Sequence, residues 1–402
     1  MDPIDNPYTP NAGARPLAIV GRDDQIQRFQ LLLKRLTKAR TEQSMIITGL
    51  RGVGKTVLLG SFRDSALDQG WVIIEEEVSK HDDADFRRNT AVRMRTALFE
   101  MSPKSRWNER IKRAAGVLKS FSLTVDPDGS ITAGMDVDAQ DGLADIGNLQ
   151  QDLTDLFVAV GEAAQSSGRG VVLLLDEVQF LSKPQLEALI AALHKTVQRS
   201  LPVTMVGAGL PQIAELAGDA KSYAERLFVF PSIGHLGDDD ARRALTEPAA
   251  EEGARWTSGA LSRALQITGG YPYFLQELGY AVWPLTEGNS VTAEDIEHAI
   301  PQYQAKLDSS FFRVRLDRAT DMQRVYLRAM ADLGPQPQKA ADVAARMGRT
   351  SQQVAPTRAE LINMGLLYTP EYGYAAFTVP HFDQFLLRTI PVLTVPPPRR
   401  RR

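Results

Sequence analysis

The segment Gly49-Leu50-Arg51-Gly52-Val53-Gly54-Lys55-Thr56 carries the most chemistry per residue. Three glycines let a chain curl tightly round an anion, because a residue without Cβ adopts the required backbone angles cheaply. The loop amides then point inward, and a helix opening at Lys55 and running on through Val57 adds partial positive charge. Lys55 would reach the outer phosphates of a nucleotide, and the Thr56 hydroxyl would ligate Mg²⁺. The spacing G-x-x-x-x-G-K-[ST] alone also fits a chance glycine-rich turn. Here a short apolar strand, 45–48, leads in and a helix over about 55–68 leads out, which is the context a phosphate loop needs.

A second cluster lies downstream. Val171 to Leu175 is an unbroken aliphatic run that ends in Asp176-Glu177. Such a run fits a strand of a parallel sheet buried on both faces. Asp176 at its C-terminal end would hold Mg²⁺ through water, and Glu177 would polarise an attacking water. The plainer reading is a surface acid pair at a helix start, stabilised by the dipole. The expected ligands are therefore ATP and Mg²⁺. Thr56 and Asp176 are the metal residues, and Lys55 and Glu177 the catalytic ones.

The elements that must position these groups follow from periodicity. Helices are expected over 23–38, 83–101, 103–118, 147–166, 183–199 and 211–218. Strands are expected over 71–78 and 203–206, with a short one at 228–230. Strand and helix alternate, so the core should be a parallel αβα sandwich. Phe121–Val125 and Ser130–Val137 alternate about a Pro-Asp-Gly turn and predict a β-hairpin. Helices near 238–252, 257–268, 271–286 and 292–307 would form a lid. Those near 320–333, 338–347 and 351–365, followed by two strands within 365–379, make a winged-helix plan.

The expected organisation is an extended, proline-rich arm over 1–16 and a P-loop core over 17–235 with an inserted helix and hairpin at 101–146. A helical lid over 236–312, a winged helix over 313–392 and a basic disordered tail over 393–402 complete it. The fold class is α/β. With 43% hydrophobic and 24% charged residues, the 402-residue chain has the balance of a soluble multidomain protein. The absence of cysteine excludes disulfides and thiolate chemistry and suits a reducing cytoplasm. The N-terminal residues do not read as a signal peptide, and no apolar run is long enough to span a bilayer.

The motifs together resemble a known group. Val20-Gly21-Arg22 resembles the entry motif of origin-recognition-like AAA+ ATPases and the related STAND ATPases, where it lies against adenine. The phosphate loop, Asp176-Glu177, the strand ending Gly207-Ala208-Gly209-Leu210-Pro211 and Gly270-Tyr271-Pro272 complete the likeness. It covers about residues 16–390. It implies that Tyr271-Pro272 approaches the nucleotide from the lid, although Pro272 also fits the first turn of any helix. Arg226 is a candidate arginine for the γ-phosphate, in cis or from a neighbouring subunit, or else a surface ion-pair residue. Two features depart from the family. No polar side chain ends the strand at 207–209, and glycine and tyrosine stand at 269–271 where a sensing arginine is common. Both favour a slow switch in which nucleotide state sets the angle between core and lid.

Two outputs stay open, duplex DNA and a protein partner or second copy. Residues 321–402 hold eleven Lys or Arg against six Asp or Glu, four of the eleven being the terminal arginines. The expected recognition helix, 351–364, offers Gln352, Gln353 and Arg358 to DNA. Arg106, Arg110 and Arg113 share a helical face and would either grip phosphates or form a solvated surface.

Overall fold

The structure is a computed structural model that describes residues 1–80 and 82–396. The basic tail expected at the C-terminus falls largely outside the described residues. The chain divides into two compact units. One comprises residues 22–49 and 55–233, the other residues 1–21, 50–54 and 234–402.

The first unit contains strands β1 (Ser44–Thr48), β2 (Val72–Glu77), β3 (Val171–Asp176), β4 (Val203–Gly209) and β5 (Phe228–Val229). They form one sheet in the order β2-β3-β4-β1-β5, and every pairing is parallel. The inner strands β1 and β4 are buried throughout, and β3 is buried up to Asp176, which explains their unbroken apolar sequences. The helices are α1 (Asp23–Thr37), α2 (Lys55–Asp68), α3 (Asp83–Met101), α4 (Glu109–Leu123), α5 (Leu149–Ser166), α6 (Lys183–Gln198), α7 (Ile213–Ala220) and α8 (Ala224–Leu227). Val171, Leu173 and Leu175 join a single core with α3 to α6, and the alternate residues of β3 point to the opposite face. The parallel αβα architecture read from the sequence is therefore the one observed.

The expected β-hairpin is absent. Helix α4 continues through Phe121 to Leu123, and residues 124–148 form turns. Ile111, Ala114, Ala115, Leu118 and Phe121 recur at helical spacing and are all buried in the core. That stripe outweighs the local strand-like alternation. The turn after it is fixed by Asp126, whose carboxylate accepts from the Ile131 amide at 2.7 Å and the Ser130 hydroxyl at 2.9 Å.

In the second unit, α9 (Asp238–Glu251), α10 (Ser258–Thr268), α11 (Pro272–Val282) and α12 (Ala293–Lys306) form the helical region. A two-stranded parallel ribbon, β6 (Arg255–Trp256) with β7 (Ser290–Val291), ties it. A π-helical turn over Leu307–Phe312 leads into α13 (Arg313–Leu316). Then come α14 (Asp321–Asp332), α15 (Ala340–Arg346), α16 (Ser351–Asn363) and α17 (Phe382–Thr389). The strands β8 (Gln338–Lys339), β9 (Leu367–Tyr368) and β10 (Tyr374–Phe377) pair antiparallel as β8-β10-β9. This is a winged-helix-like arrangement. Helix α17, which the sequence pattern missed, covers α14. Among the described residues no helix is long and apolar enough to cross a membrane.

The N-terminal arm is extended but firmly placed. Tyr8 is buried, donates its hydroxyl hydrogen to the Leu245 carbonyl at 2.5 Å, and accepts from the Trp256 indole at 2.8 Å. Its ring meets Trp256 and Trp283 edge-on. Gly279 of α11 leaves room for it, since a Cβ there would lie 2.6 Å from the Tyr8 ring. Trp283 also donates to the Asp2 carbonyl at 2.8 Å. Tyr8→Ala should therefore destabilise the helical region by roughly 3 kcal/mol. The measure is protection of α11 amides in hydrogen exchange, and unchanged protection would make the arm a passive tail.

Candidate nucleotide site

The loop between β1 and α2 takes left-handed backbone angles at Gly52 (φ 83°) and Gly54 (φ 91°). A Cβ at Gly54 would meet nothing within 4 Å, so glycine is needed there for the angle rather than for space. The Gly49 amide donates to the Gly209 carbonyl at the end of β4, at 3.1 Å. Lys55 is buried, and its ammonium donates to the Gly49 carbonyl at 3.1 Å. The lysine thus turns back onto Gly49, the first residue of the motif, from the first turn of α2.

The acid pair meets the start of this helix. The Thr56 hydroxyl donates to Asp176 Oδ2 at 2.6 Å, and the Glu177 amide donates to Oδ1 at 2.8 Å. Parallel pairing of β3 with β4 and of β4 with β1 brings the two segments together. Burial raises the Asp176 pKa, opposed by the hydrogen bonds from Thr56 and the Glu177 amide. A partly buried carboxylate held on a threonine hydroxyl is a donor set suited to a hard cation. Mg²⁺ usually takes one or two protein oxygens and completes its shell with water and phosphate. Among the described residues no cluster of three or more His, Asp or Glu offers a self-sufficient metal site.

Glu177 sits in the left-handed region at φ 54°, which is uncommon for a non-glycine residue and marks a constrained position. Gln179 holds it there. Its amide nitrogen donates to Glu177 Oε2, and its Oε1 accepts from the Leu210 amide at 3.0 Å. A Cβ on Gly209 would lie 2.8 Å from Gln179 Oε1 and 2.9 Å from Val178, and one on Gly207 would lie 3.1 Å from Val178. The glycines ending β4 leave that strand without a sensing side chain, as expected. The space is filled instead by Val178 and Gln179, a polar residue the sequence reading missed. The available signal was a glutamine two residues after the acid pair together with a glycine-ended β4.

The loop crest, residues 50–54, belongs to the second unit. The Arg51 amide donates to the Thr378 carbonyl at 3.2 Å, and Arg51 Nε donates to the Gly365 carbonyl at 3.3 Å. Tyr271 donates its hydroxyl hydrogen to the Arg51 carbonyl, and the Tyr273 amide donates to the Gly52 carbonyl at 3.2 Å. A Cβ on Gly52 would come within 3.2 Å of both Tyr271 and Tyr273. Leu50 is half-buried and Val53 buried. Pro272 occupies the first turn of α11. Val20 is buried, and Gly21 (φ 66°) leaves no room for a Cβ, which would lie 2.6 Å from an Asp240 carboxylate oxygen. Arg22, in the first unit, precedes α1 at its N-cap position and is buried. Arg226 on α8 is exposed, and its side chain makes no ion pair among the described residues, so neither Glu225 nor another acid there holds it.

Several of the residues considered for DNA make bonds within the fold. Arg358 donates to the Tyr374 carbonyl at 2.5 Å and to the Thr369 hydroxyl at 3.3 Å. Gln353 closes the capping box of α16 with Thr350, whereas Gln352 is exposed. Arg110, Arg113 and Arg199 all converge on Glu162, at 2.8, 3.6 and 3.0 Å. Lys104 pairs with Asp136 and Lys112 with Glu109, while Arg106 stays exposed.

Residues 18–206 match the AAA ATPase domain family. Residues 309–386 match a domain of unknown function (DUF8462). No curated protein sequence matches the chain. Among solved structures the chain is similar to the Walker-type ATPase PABY2304 of Pyrococcus abyssi, at 15% identity and a TM-score of 0.56, over 92% of this chain and 97% of that one. It also shows likenesses to Cdc6p from Pyrobaculum aerophilum (13% identity, TM-score 0.47, 97% and 98% covered) and to the RuvB Holliday junction branch migration motor of Thermotoga maritima (13%, 0.47, 90% and 95%). Those are too loose to bear on function. The match to the AAA ATPase domain family over residues 18–206 thus coincides with a parallel αβα fold and the glycine-rich loop motif between β1 and α2.

Gln179 generates a prediction. The Gln179 amide engages Glu177 Oε2, an oxygen for which an attacking water would have to compete. Gln179→Ala should leave ATP affinity within about twofold while basal hydrolysis rises at least about threefold. Steady-state turnover reads this, and an unchanged rate would confine Gln179 to shaping the end of β4.

Proposed function

We propose that this chain binds ATP with Mg²⁺ and hydrolyses it slowly, as a cytoplasmic STAND-like switch whose output is a protein partner. The supporting observation is the 2.6 Å hydrogen bond between Thr56, in the first turn of α2, and Asp176 at the end of β3. In this reading Val20, Gly21 and Arg22 line the adenine side, and the loop from Gly49 to Val57 wraps the phosphates. Tyr271 and Pro272 approach from the helical region. Lys55 contacts the outer phosphates. Thr56 and Asp176 would hold Mg²⁺, which would supply charge neutralisation at the phosphates. Glu177 accepts a proton from the attacking water, and the products are ADP and phosphate. Arg226, exposed and without an acidic partner among the described residues, is assigned to the nucleotide of a neighbouring copy.

The switch follows from the crest. Phosphate binding recruits loop amides, and any reshaping of residues 51 and 52 strains their bonds to Tyr271, Tyr273, Gly365 and Thr378. Slow turnover follows from Glu177 being tied by Gln179. A protein output is favoured over duplex DNA because Arg358 and Gln353 of the expected recognition helix are engaged within the winged-helix region.

Three measurements test these roles. Lys55→Ala should abolish ATP binding, and wild-type affinity in that variant would remove the site. Glu177→Gln should bind ATP yet cut turnover by at least about a hundredfold, and unchanged turnover would remove Glu177 as the base. Duplex DNA anisotropy, read at two salt concentrations with and without ATP, should show no ATP-sensitive binding. Binding that needs ATP and falls steeply with salt would instead make DNA the output.

A further inference from the structure

Helices α4 and α6 both pack on α5, and each sends guanidinium groups to one carboxylate on it. Arg110 donates to Glu162 Oε2 at 2.8 Å, and Arg199, at the C-cap of α6, donates to Oε1 at 3.0 Å. Arg113, one turn on from Arg110, lies 3.6 Å from Oε2. The side chains of Arg110, Arg113 and Arg199 are 56%, 50% and 48% exposed, whereas that of Glu162 is 20% exposed. The acid thus forms the floor of a shallow face, and the arginines form its open rim.

Donors outnumber acceptors there. A guanidinium carries five N–H donors, and a carboxylate offers about four lone-pair sites. Arg110 and Arg199 use one donor each on Glu162, and the other donors of the three arginines have no acceptor among the described residues. Two further acids of α4 and α5 do not close the gap. Glu109 pairs with Lys112 at 2.9 Å. Asp155, which the Arg199 charge reaches, accepts from the Ala144 amide at 3.3 Å. Exposed ion pairs hold long side chains weakly, so the forks can turn to another anion at small cost. A planar fork suits carboxylate and phosphate alike. Two features favour carboxylates. Trp107, which precedes α4, is buried and its indole donates to the Ser102 carbonyl at 2.8 Å, so it offers no surface on which a base could stack. A duplex also asks for a row of phosphate contacts and a basic field, whereas these arginines converge on one point of a chain whose net charge is -3.

We propose that the outer face of α4, α5 and α6 around Glu162 docks an acidic segment of a partner protein, whose Asp or Glu side chains engage the forks of Arg110, Arg113 and Arg199. Glu162 is the resident carboxylate that holds these arginines together and that the partner's carboxylates displace. Complementary charge of this kind sets which partner is accepted and how fast it is found. The surface gives the protein output proposed above a place and a chemistry. It rests on that reading only in calling the partner an output, because no residue of the face belongs to the nucleotide site.

The test uses the full chain and a fluorescein-labelled polyglutamate peptide, read by anisotropy at low salt. The peptide should bind, and added salt should weaken it. Arg110→Gln, Arg113→Gln and Arg199→Gln combined should weaken it at least about tenfold, the scale of one charge-assisted hydrogen bond. Glu162→Gln removes the resident competitor and should tighten it roughly threefold, the scale of one exposed ion pair. A parent protein that ignores the peptide, unchanged binding in the triple variant, or no gain in Glu162→Gln overturns the proposal. Binding that survives in the triple variant would belong elsewhere, as at the terminal arginines 399–402. Duplex DNA that displaces the peptide, and itself fails to bind the triple variant, overturns it in favour of a nucleic-acid face. If the triple variant does not fold, Arg113→Gln alone decides, with a loss of about threefold expected. Lys55→Ala should bind the peptide as the parent does, so this surface and the nucleotide site fail separately.

Discussion

The rest of the structure depends on the absence of a side chain at Gly52. The residue takes a left-handed angle that wraps the phosphate loop, and its outer side is so close to Tyr271 and Tyr273 that a Cβ would sit 3.2 Å from each. One glycine therefore meets two demands, a curve that turns amides inward and a flat outer surface on which aromatic rings rest. The neighbouring Arg51 adds hydrogen bonds to the carbonyls of Thr378 and Gly365, two positions far along the chain. The loop that would hold phosphate is thus a docking point as well.

Much of the fold was legible because it rests on short-range rules. β3 declared itself by five aliphatic residues bounded by Gly170 and Asp176, and α6 by its helical apolar periodicity. The failures are also physical. Phe121, Leu123 and Val125 alternate as a strand would, but Phe121 completes a buried helical stripe that begins at Ile111, and tertiary burial decided between the two periods. Helix α17 was missed because its eight residues are short against a flanking proline and its core contacts are long-range.

The site shows the same division. Lys55, Thr56, Asp176 and Glu177 were legible because each sits at a fixed place in a local motif, and the sheet order then brings Thr56 and Asp176 together. Gln179 was not, because its meaning depends on what surrounds it. Gln179 matters only once the glycines of β4 are seen to make room for it. The apparent defect at Gly207-Ala208-Gly209 is better understood as a relocation. A polar group does stand there, but it arrives from the turn after β3 and is bonded to the proposed base.

Charge placement separates the two candidate outputs in the same manner. A duplex reader keeps its arginines and amides free for base edges and phosphates. Here Arg358 braces the wing by bonding Tyr374 and Thr369, and three arginines share Glu162 on the surface of the first unit. Exposed pairs of that kind contribute little to stability, so their arginines remain exchangeable for another anion at small cost. The Arg358 bonds are different, because they fix the geometry of the β9–β10 wing and would be lost on engaging DNA. An output that leaves the wing intact and uses its outer surface, as a protein contact does, asks for no such sacrifice.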